Sequence, residues 1–474
     1  MLRETDGEIA GDIPTANQNN VMRRDRISEL PDDLIAQILV RLPIRDSIRT
    51  SVLSKRWEFL WLKVPVLDLN AFDFSRLVLA SIMGRFLESN QRSCLQKFKI
   101  KYVDDLELRH TLVDRYTDWV IRIIDLGIQH LEIEKPMYPF VLKKLPMDVY
   151  NSKTLVSLKL ANVWYRNPER DVSLPSLKIL HLEDPYFDGG DNGPLIVDKL
   201  IAGCPVLEDL TVVRDCVHYL KSLPLLRVRS RTLKMFRLVC QWSVVNANYA
   251  VEIDAPRLEC LSFGDGQSER ITVKNLSSLV KIDLDSVFNV CLFGSRLLQR
   301  EDAAKSDSIR DFLTGVSTVR HMIISQPTVE VIYRHFRLGL IPIFHNLNRL
   351  QAAFSSSELQ LFPTFLESCP VLKNLILDYS VSEECVAEEP ELFELTYVPR
   401  CLTSTLEYVE IKELIMEEET GIILVDYLLE NSAVLKKLTL RLADSPMMTN
   451  QDSEMYRKLI TSTKLSRSCE VSVY

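Results

Sequence analysis

Ten cysteines and seven histidines are the residues of this 474-residue chain that could bind a metal or act as nucleophiles. The cysteines are scattered from Cys94 to Cys469 without a C-x-x-C pair, and the histidines stand apart from one another. A zinc site needs closely spaced ligands, and a nucleophile needs a positioned base. The motifs H-E-x-x-H, G-x-x-x-x-G-K-[ST], G-x-S-x-G and G-x-G-x-x-G are all missing from the sequence. We therefore expect no metal, no cofactor and no catalytic residue.

Two local features invite a chemical role, and each has a structural alternative. Cys204 and Cys369 each lie three residues before a leucine that opens a repeated segment. We interpret both as packing residues of a repeat corner, where a small apolar thiol is favoured. Asp184, Asp188 and Asp191 surround a glycine-rich stretch, but they lack the spacing and closing glutamate of an EF-hand loop. That stretch is interpreted as an insertion.

Composition and charge limit the class of protein and its partners. With 46% apolar and 26% charged residues, the chain has the composition of a folded globular protein. The charge-free stretches are too short for a membrane span, and no secretory signal is visible. The net charge is −8, without a coherent basic face, which argues against nucleic-acid binding. With unpaired cysteines, this predicts an intracellular protein of the nucleus and/or cytoplasm, with no nucleic-acid or membrane partner.

A short helical module is predicted near the start, after a mobile tail at residues 1–24. Pro31 stands where a first helical turn favours proline, and Asp32 and Asp33 follow where the helix dipole favours anions. The apolar residues of this helix, which Pro43 should end, are predicted to share one face: Leu34, Ile38, Leu39 and Leu42. A second helix is predicted from Asp46 and a third from Ser54.

The module closely resembles the plant F-box motif. The resemblance runs from Asp25-Arg26-Ile27-Ser28 through Leu30-Pro31-Asp32-Asp33-Leu34 to Val52-Leu53-Ser54-Lys55-Arg56-Trp57 and on to Trp61. In that family the helices dock onto the Skp-type adaptor, and through it the cullin and RING subunits, of a ubiquitin ligase. The resemblance implies these adaptor-binding residues, without separating contact from support: Leu30, Pro31, Leu34, Ile38, Leu39, Leu42, Pro43 and Trp57.

A repeat fills the rest of the chain. The form L-x-x-L-x-L, with Ile or Val in some positions, begins thirteen times between Leu95 and Leu435, at steps of 21 to 40 residues. Leucine-rich repeats have steps of 20–29, so we interpret the longer steps as insertions. The fourth and sixth positions are always apolar and the fifth is polar in eleven copies, which predicts half-buried strands. Helical returns are predicted between strands, as at Val197–Ala202.

The polar fifth positions are the expected target-binding residues, because stacked repeats place them together on the concave side of a solenoid. A rival target site is an inserted loop that contains Gln299–Ser306. Lys97, Lys99 and Lys101 alternate on the first strand, where an anion or acidic segment could bind. An acidic insertion is predicted at Glu383–Glu394. The expected target contacts are Lys99, Glu132, Lys159, His181, Arg237, Asp283, Gln351 and Glu410.

A second resemblance covers the last repeats. Val398–Leu402, Leu406–Ile411, Tyr427–Asn431 and Leu435–Leu438 look like the FBD domain that closes many plant F-box/leucine-rich-repeat proteins. The predicted fold is α/β, with a three-helix F-box followed by an irregular leucine-rich-repeat solenoid with a parallel concave sheet. The predicted domains are a tail (1–24), the F-box (25–70), the solenoid (71–395), FBD-like repeats (396–442) and a C-terminal cap (443–474).

These resemblances imply a non-catalytic subunit that recruits substrates for an SCF-type cullin-RING ubiquitin ligase. Residues 25–61 would bind the adaptor, and the solenoid would bind an unknown target protein. An alternative is a non-degradative scaffold or ligand sensor whose F-box no longer binds the adaptor.

Overall fold

The structure is a computed structural model. It describes residues 27, 29–89, 95–101, 112–134, 144–168, 171–187, 193–214, 225–240, 249–290, 301–336, 341–381, 395, 397–415, 419–443 and 463–474. The predicted tail at residues 1–24, Asp188, Asp191 and the acidic stretch Glu383–Glu394 lie outside these residues. The chain divides into two compact units, Met1–Val64 and Pro65–Tyr474.

The N-terminal unit is helical. It contains α1 (Asp32–Leu39) and α2 (Ile44–Arg49), followed by 3₁₀ turns at Thr50–Val52 and Trp57–Lys63. Helix α1 starts after Pro31, with Asp32 and Asp33 in its first turn, as expected.

The starts of the second and third helices differ from the prediction. Helix α2 begins at Ile44 because Pro43 caps it, and the amides of Asp46 and Ser47 bond to the Pro43 carbonyl at 2.9 and 3.0 Å. The third helix is a 3₁₀ turn that begins at Trp57 and not at Ser54. Its tighter winding aligns residues three apart, so Trp57 and Leu60 are buried together.

The larger unit contains twenty strands in the described part of the chain. In chain order they are β1 (Val66–Asn70), β2 (Lys97–Lys101), β3 (His130–Glu134), β4 (Ser157–Ala161), β5 (Trp164–Tyr165), β6 (Ile179–Glu183), β7 (Tyr186–Phe187), β8 (Asp209–Arg214), β9 (Leu225–Arg229), β10 (Met235–Cys240), β11 (Tyr249–Asp254), β12 (Cys260–Asp265), β13 (Ser268–Lys274), β14 (Lys281–Leu284), β15 (His321–Ile324), β16 (Arg349–Ser355), β17 (Asn374–Ser380), β18 (Tyr408–Leu414), β19 (Lys437–Leu442) and β20 (Glu470–Val473).

Fifteen of these strands form one sheet in which every pair of neighbours is parallel. Its order is β1-β2-β3-β4-β6-β8-β10-β12-β14-β15-β16-β17-β18-β19-β20. The thirteen predicted repeat strands are all present, so the repeat prediction is confirmed. The sheet also contains β1 before them and β20 after them, so it begins inside the range assigned to the F-box and continues past the FBD-like repeats.

The returns between strands are helical at both ends of the sheet and partly stranded in the middle. The helices are α3 (Arg76–Ser89), α4 (Leu112–Asp125), α5 (Gly193–Ala202), α6 (Glu301–Gly315), α7 (Gln326–Phe336), α8 (Phe362–Glu367), α9 (Arg400–Ser404) and α10 (Glu419–Asn431), with 3₁₀ turns at Ala71–Asp73, Met147–Asn151 and Ser356–Leu361. The predicted return at Val197–Ala202 lies in α5.

Strands β9, β11 and β13 form a second parallel sheet where helical returns were expected. Their sequences alternate, and residues such as Val228, Val251 and Ile271 are buried. This alternation makes one face of each strand apolar, which favours a layer of strands over helices. Helix α5 packs against β9, and α6 packs against β13.

The prediction of an inserted loop at Gln299–Ser306 is wrong from Glu301 onward, because α6 begins there. The apolar residues Ile309, Phe312 and Leu313 follow helical spacing and are buried. That apolar face anchors the segment as part of the return layer.

Hydroxyl groups at the repeat corners join one repeat to the next. Thr154, Thr232 and Thr405 each precede the first apolar residue of a repeat. In each case Oγ1 donates a hydrogen bond to the backbone carbonyl at the first position of the preceding L-x-x-L-x-L segment. The donor–acceptor distance is 2.8 Å in all three cases. The repetition of one bond length and one position indicates a shared corner geometry that the leucine pattern alone did not show.

Candidate functional site

Helix α1 carries apolar side chains on two faces, and only one of them is buried. Ile35 and Leu39 are buried, whereas Leu34 and Ile38 are 45% and 46% exposed. Leu42, just after the helix, is 41% exposed. Side chains four apart on a helix are neighbours, so the three exposed residues form one stripe. We call Leu34, Ile38 and Leu42 the α1 stripe. An exposed apolar stripe on a small unit is typical of a protein-binding surface.

The structure separates the eight residues implied to bind an adaptor. Pro31 and Pro43 are exposed like the α1 stripe, and Leu30 is half-buried. Leu39 and Trp57 are buried, at 1% and 7% exposure. The prediction that Leu39 shares a face with Leu34 is therefore wrong, because Leu39 lies on the Ile35 side of the helix. Leu39 and Trp57 are placed to support the unit.

Three further exposed apolar residues lie near the stripe in sequence and were not predicted as contacts. Val52 is 87% exposed, and Leu53 and Phe59 are also exposed. The second helix predicted from Asp46 would carry Val52 and Leu53, but α2 ends at Arg49. Exposed apolar residues after the end of α2 could have been predicted from the sequence if the helix had been predicted to end at the correct residue.

Asp32 ties the start of α1 to the third helical segment. Its carboxylate accepts a hydrogen bond from Lys63 Nζ at 3.0 Å and another from Arg56 Nε at 3.0 Å. These hydrogen bonds, from Lys63 and then Arg56, lower the pKa of Asp32. Arg56 also donates to the carbonyl of Leu30. The contacts orient the chain that enters α1, and with it the α1 stripe.

A buried hydroxyl joins the two helices of this unit. Ser47 Oγ on α2 donates to the carbonyl of Leu39, at the end of α1, at 2.9 Å. Ser47 is only 1% exposed, so this bond satisfies a buried acceptor that the helix end would otherwise leave unpaired. Together with Asp32, it fixes α1 at both of its ends.

The eight predicted target-binding residues all lie in one row of the fifteen-stranded sheet. Each of these side chains is exposed or half-exposed, while the residues on either side of it in the strand are buried. We call this side of the sheet the open face. From β2 to β18, the row consists of Lys99, Glu132, Lys159, His181, Thr211, Arg237, Ser262, Asp283, Ile323, Gln351, Ile376 and Glu410.

Ion pairs with β3 engage the three lysines of β2. Lys99 Nζ lies 2.7 Å from Glu132 Oε1, and Lys97 lies 3.7 Å from the same carboxylate. Lys101 pairs with Glu134. The hydrogen bond that Lys99 donates to the Glu132 carboxylate raises the pKa of Lys99. These pairings weaken the hypothesis that the three lysines bind an anion.

The other predicted target residues differ in how they are paired. Gln351 donates to Asp378 at 2.8 Å, Glu410 accepts from Arg441 at 2.5 Å, and His181 lies 3.2 Å from Glu183. Within the described residues, Lys159 and Arg237 form no ion pair. Charged groups of this kind can pair with a partner without first losing an internal contact.

The described residues hold no cluster of His, Cys, Asp and Glu able to bind a metal ion. Cys204 and Cys369 are buried and unpaired in disulfides. Burial raises the pKa of the Cys204 thiol to about 12, and it raises the pKa of Cys369 as well. Both thiols are therefore poor nucleophiles. Across the described helices, no stretch is long and apolar enough to cross a membrane.

Comparisons with known proteins match three parts of the chain. Residues 27–69 match the F-box domain, residues 394–440 match FBD, and residues 116–284 match the family described as "FBD-associated F-box protein At5g56370, LRR repeats". The chain is 56% identical over 455 residues to the putative F-box/FBD/LRR-repeat protein At5g44950 of Arabidopsis thaliana, covering 95% of this chain and 100% of the relative. This chain belongs to the F-box/FBD/LRR-repeat family.

Other relatives agree with this membership. F-box/FBD/LRR-repeat protein At2g26030 of Arabidopsis thaliana is 54% identical over 459 residues, covering 95% of this chain and 100% of the relative. F-box/LRR-repeat protein 13 of the same plant is 39% identical over 453 residues, covering 95% and 96%. The resemblance to F-box/FBD/LRR-repeat proteins is confirmed, and the F-box match contains the α1 stripe.

Proposed function

We propose that this F-box/FBD/LRR-repeat protein recruits substrates for an SCF-type cullin-RING ubiquitin ligase. The observation that carries the proposal is the α1 stripe: Leu34, Ile38 and Leu42 are exposed apolar residues within the F-box match. F-box domains generally bind Skp-type adaptors, and burial of such side chains against an adaptor would remove apolar surface from water.

In this proposal the adaptor contact is made by the α1 stripe together with Leu30, Pro31 and Pro43. Leu39 and Trp57 hold the helices in place and do not touch the adaptor. Through the adaptor the chain joins the cullin and RING subunits.

The open face of the sheet is the proposed target-binding surface. Its middle row carries Lys159 and Arg237, which have no ion-pair partner in the described part of the chain. A target held there would be close to the ubiquitin-conjugating enzyme of the ligase, which raises the effective concentration of its lysines. The chain needs no catalytic residue of its own for this role.

Co-purification with a Skp-type adaptor tests the proposal. The variant Leu34→Ser/Ile38→Ser should lose at least about tenfold of the captured adaptor, because exposed apolar contacts at an interface centre dominate affinity. Leu77→Ser/Val78→Ser, in α3 of the larger unit, is a matched control with two exposed apolar residues. The control should capture adaptor normally.

Two outcomes would contradict the proposal. Full adaptor capture by Leu34→Ser/Ile38→Ser would show that the α1 stripe is not the dock. No capture by the unmodified chain would favour the alternative function, a scaffold or ligand sensor that works outside a ligase.

A further inference from the structure

A short row of basic side chains crosses three neighbouring strands of the open face. Lys281 on β14 is in register with His321 on β15, and His321 is in register with Arg349 on β16. All three are exposed. Neighbouring strands are about 4.8 Å apart, so the row is about 10 Å long from Lys281 to Arg349. We call Lys281, His321 and Arg349 the basic row.

Within the described part of the chain, Lys281 and Arg349 of the basic row lack ion pairs, unlike the lysines of β2 and β18 on the open face. Lys99 is paired with Glu132, and Lys412 lies 3.0 Å from Asp378. Among the described residues, no carboxylate lies within ion-pair distance of Lys281 or Arg349. The positive charge of the row is therefore available to a ligand.

Carboxylates close to the basic row in the sheet are engaged elsewhere. Asp283 lies two residues along β14 from Lys281 on the same face, and its Oδ2 lies 3.5 Å from Ser262 Oγ. Asp378 accepts from Gln351 and pairs with Lys412. These contacts orient both carboxylates toward their own neighbours and leave the row as a local excess of positive charge.

An apolar row lies beside the basic row. Ile323 is two residues along β15 from His321, and Ile376 lies in the same register one strand beyond Gln351. Both isoleucines are half-exposed, at positions where eleven of the thirteen repeat strands carry a polar residue. Two residues along a strand cover about 6.6 Å, so a single extended segment can reach both rows.

We infer that this part of the open face binds a segment of the target protein in which acidic and apolar side chains alternate. The inference rests on the proposed target-binding role of the larger unit. Acidic side chains of the segment pair with Lys281 and Arg349, and apolar ones cover Ile323 and Ile376. Opposite charge attracts and orients such a segment, and like charge repels a basic one.

A protein segment fits this surface better than a nucleic acid does. Phosphate chains need a continuous basic stripe and gain little from isoleucine side chains. Here the basic row is three residues long, and Asp283 and Asp378 lie on the same face. A polyanionic backbone that ran beyond the row would meet these carboxylates.

Fluorescence anisotropy of the full chain tests the inference with synthetic probes. The probes are a short labelled peptide that alternates Glu and Leu, the same peptide with Lys for Glu, the same peptide with Ser for Leu, and a single-stranded RNA. The Glu/Leu peptide should bind at least about tenfold more tightly than each of the other three probes. It alone offers both carboxylates for the basic row and apolar side chains for the apolar row. Its affinity should fall with added salt.

Charge reversal provides the matched comparison. Lys281→Glu/Arg349→Glu should weaken binding of the Glu/Leu peptide about tenfold or more, because attraction becomes repulsion. Arg257→Glu/Arg467→Glu changes the net charge equally at exposed positions outside the row, and should bind within about twofold of the unmodified chain. If far-ultraviolet circular dichroism shows that the first variant does not fold, Lys281→Gln/Arg349→Gln replaces it.

Three results would overturn the inference: equal binding by the row variant and the control, equal binding of the Lys/Leu peptide, or tighter binding of the RNA. The last would identify the row as a nucleic-acid contact. Failure of the proposed ligase function is distinguishable, because Leu34→Ser/Ile38→Ser should lose adaptor capture and keep peptide binding.

Discussion

Arg214 on β8 donates to Asp265, at the end of β12, at 2.9 Å, although β10 lies between their strands. Both side chains are buried, with exposures of 4% and 0%. Asp265 also accepts hydrogen bonds from the amides of Gln267 and Ser268, at 2.9 and 3.2 Å. The ion pair thus connects three neighbouring repeats and fixes the turn that leads into β13.

Removing the charge of Arg214 should destabilise the larger unit strongly. The variant Arg214→Met should lower the free energy of unfolding by about 3–5 kcal/mol, because Asp265 would be left buried without its counter-charge. Arg237→Met, on β10, removes an exposed arginine and should change it by less than about 0.5 kcal/mol. Urea unfolding followed by circular dichroism measures both, and similar midpoints for the two variants would contradict the structural role of the pair.

Two glycine-to-alanine substitutions should have effects of opposite sign. A Cβ at Gly203 would lie 2.6 Å from the carbonyl oxygen of Val172, whereas a Cβ at Gly84 would meet no atom within 4 Å. Gly84→Ala, inside α3, should stabilise the protein by about 0.5–1 kcal/mol through helix propensity. Gly203→Ala should destabilise it, since the clash is with backbone. Thermal unfolding of the two variants tests how tightly Gly203 packs against Val172. Stabilisation by both substitutions would show that the backbone around Gly203 can move to accommodate a Cβ.

The corner hydroxyls should contribute measurably to stability. Thr232→Val keeps the shape of the side chain and leaves the Leu207 carbonyl without its 2.8 Å donor, which should cost about 1 kcal/mol. Thr272→Val is the control, because the described structure gives the Thr272 hydroxyl no hydrogen bond. A loss no larger than that of the control would mean that water replaces the threonine.

The stability contributed by Glu132 should depend on pH. Desolvation raises the pKa of Glu132, but its hydrogen bond and the charges of Lys99, Lys97 and Lys159 outweigh this and lower the pKa below 4.5. A carboxyl group with a lowered pKa in the folded state stabilises the protein above pH 4.5, and this contribution disappears as the pH falls through the lowered value.

The variant Glu132→Gln should therefore lower the free energy of unfolding by about 0.5 kcal/mol at pH 7, as expected for a partly exposed ion pair. The difference from the unmodified protein should shrink as the pH falls below 4.5. Glu259→Gln, at an exposed carboxylate without an ion pair among the described residues, should show no such trend. A difference that stays constant down to low pH would exclude the ion pair as its cause.

Native alkylation should spare Cys204 and Cys401. Burial raises the pKa of each thiol to about 12, so only about one molecule in ten thousand carries a thiolate there at pH 8. Iodoacetamide followed by peptide mass spectrometry should show both sites at least about a hundredfold slower in the folded than in the urea-unfolded chain. Half-buried Cys260 provides an internal comparison. Fast native labelling of Cys204 would reopen the question of a reactive cysteine.

The sequence predicted the main sheet because each repeat carries its own signal. Apolar residues at the fourth and sixth positions, such as Leu158 and Leu160, specify strand and buried face without reference to distant residues. Strand β20 was not predicted, because Ser468 occupies the first position of the repeat, where other repeats have an apolar residue. Strand β1 matches the L-x-x-L-x-L form from Val64 onward, but this segment was assigned to the F-box.

The candidate docking site was predictable in position but not in its division of roles. Helical spacing placed Leu34, Ile38 and Leu42 together, and the structure agrees. It did not show that Leu39, one residue after Ile38, points to the other side. Because α1 is apolar on both sides, only its packing against the Trp57–Lys63 segment decides which side is buried.

All fifteen strands of the main sheet run in one direction, so their last residues lie along the same margin. An insertion between two repeats starts at that margin, so it does not change the register of the neighbouring strands. Steps of 21 and of 40 residues thus coexist within one uninterrupted ladder. A protein built this way can acquire a new specificity by lengthening a single connection, and its framework need not be rebuilt.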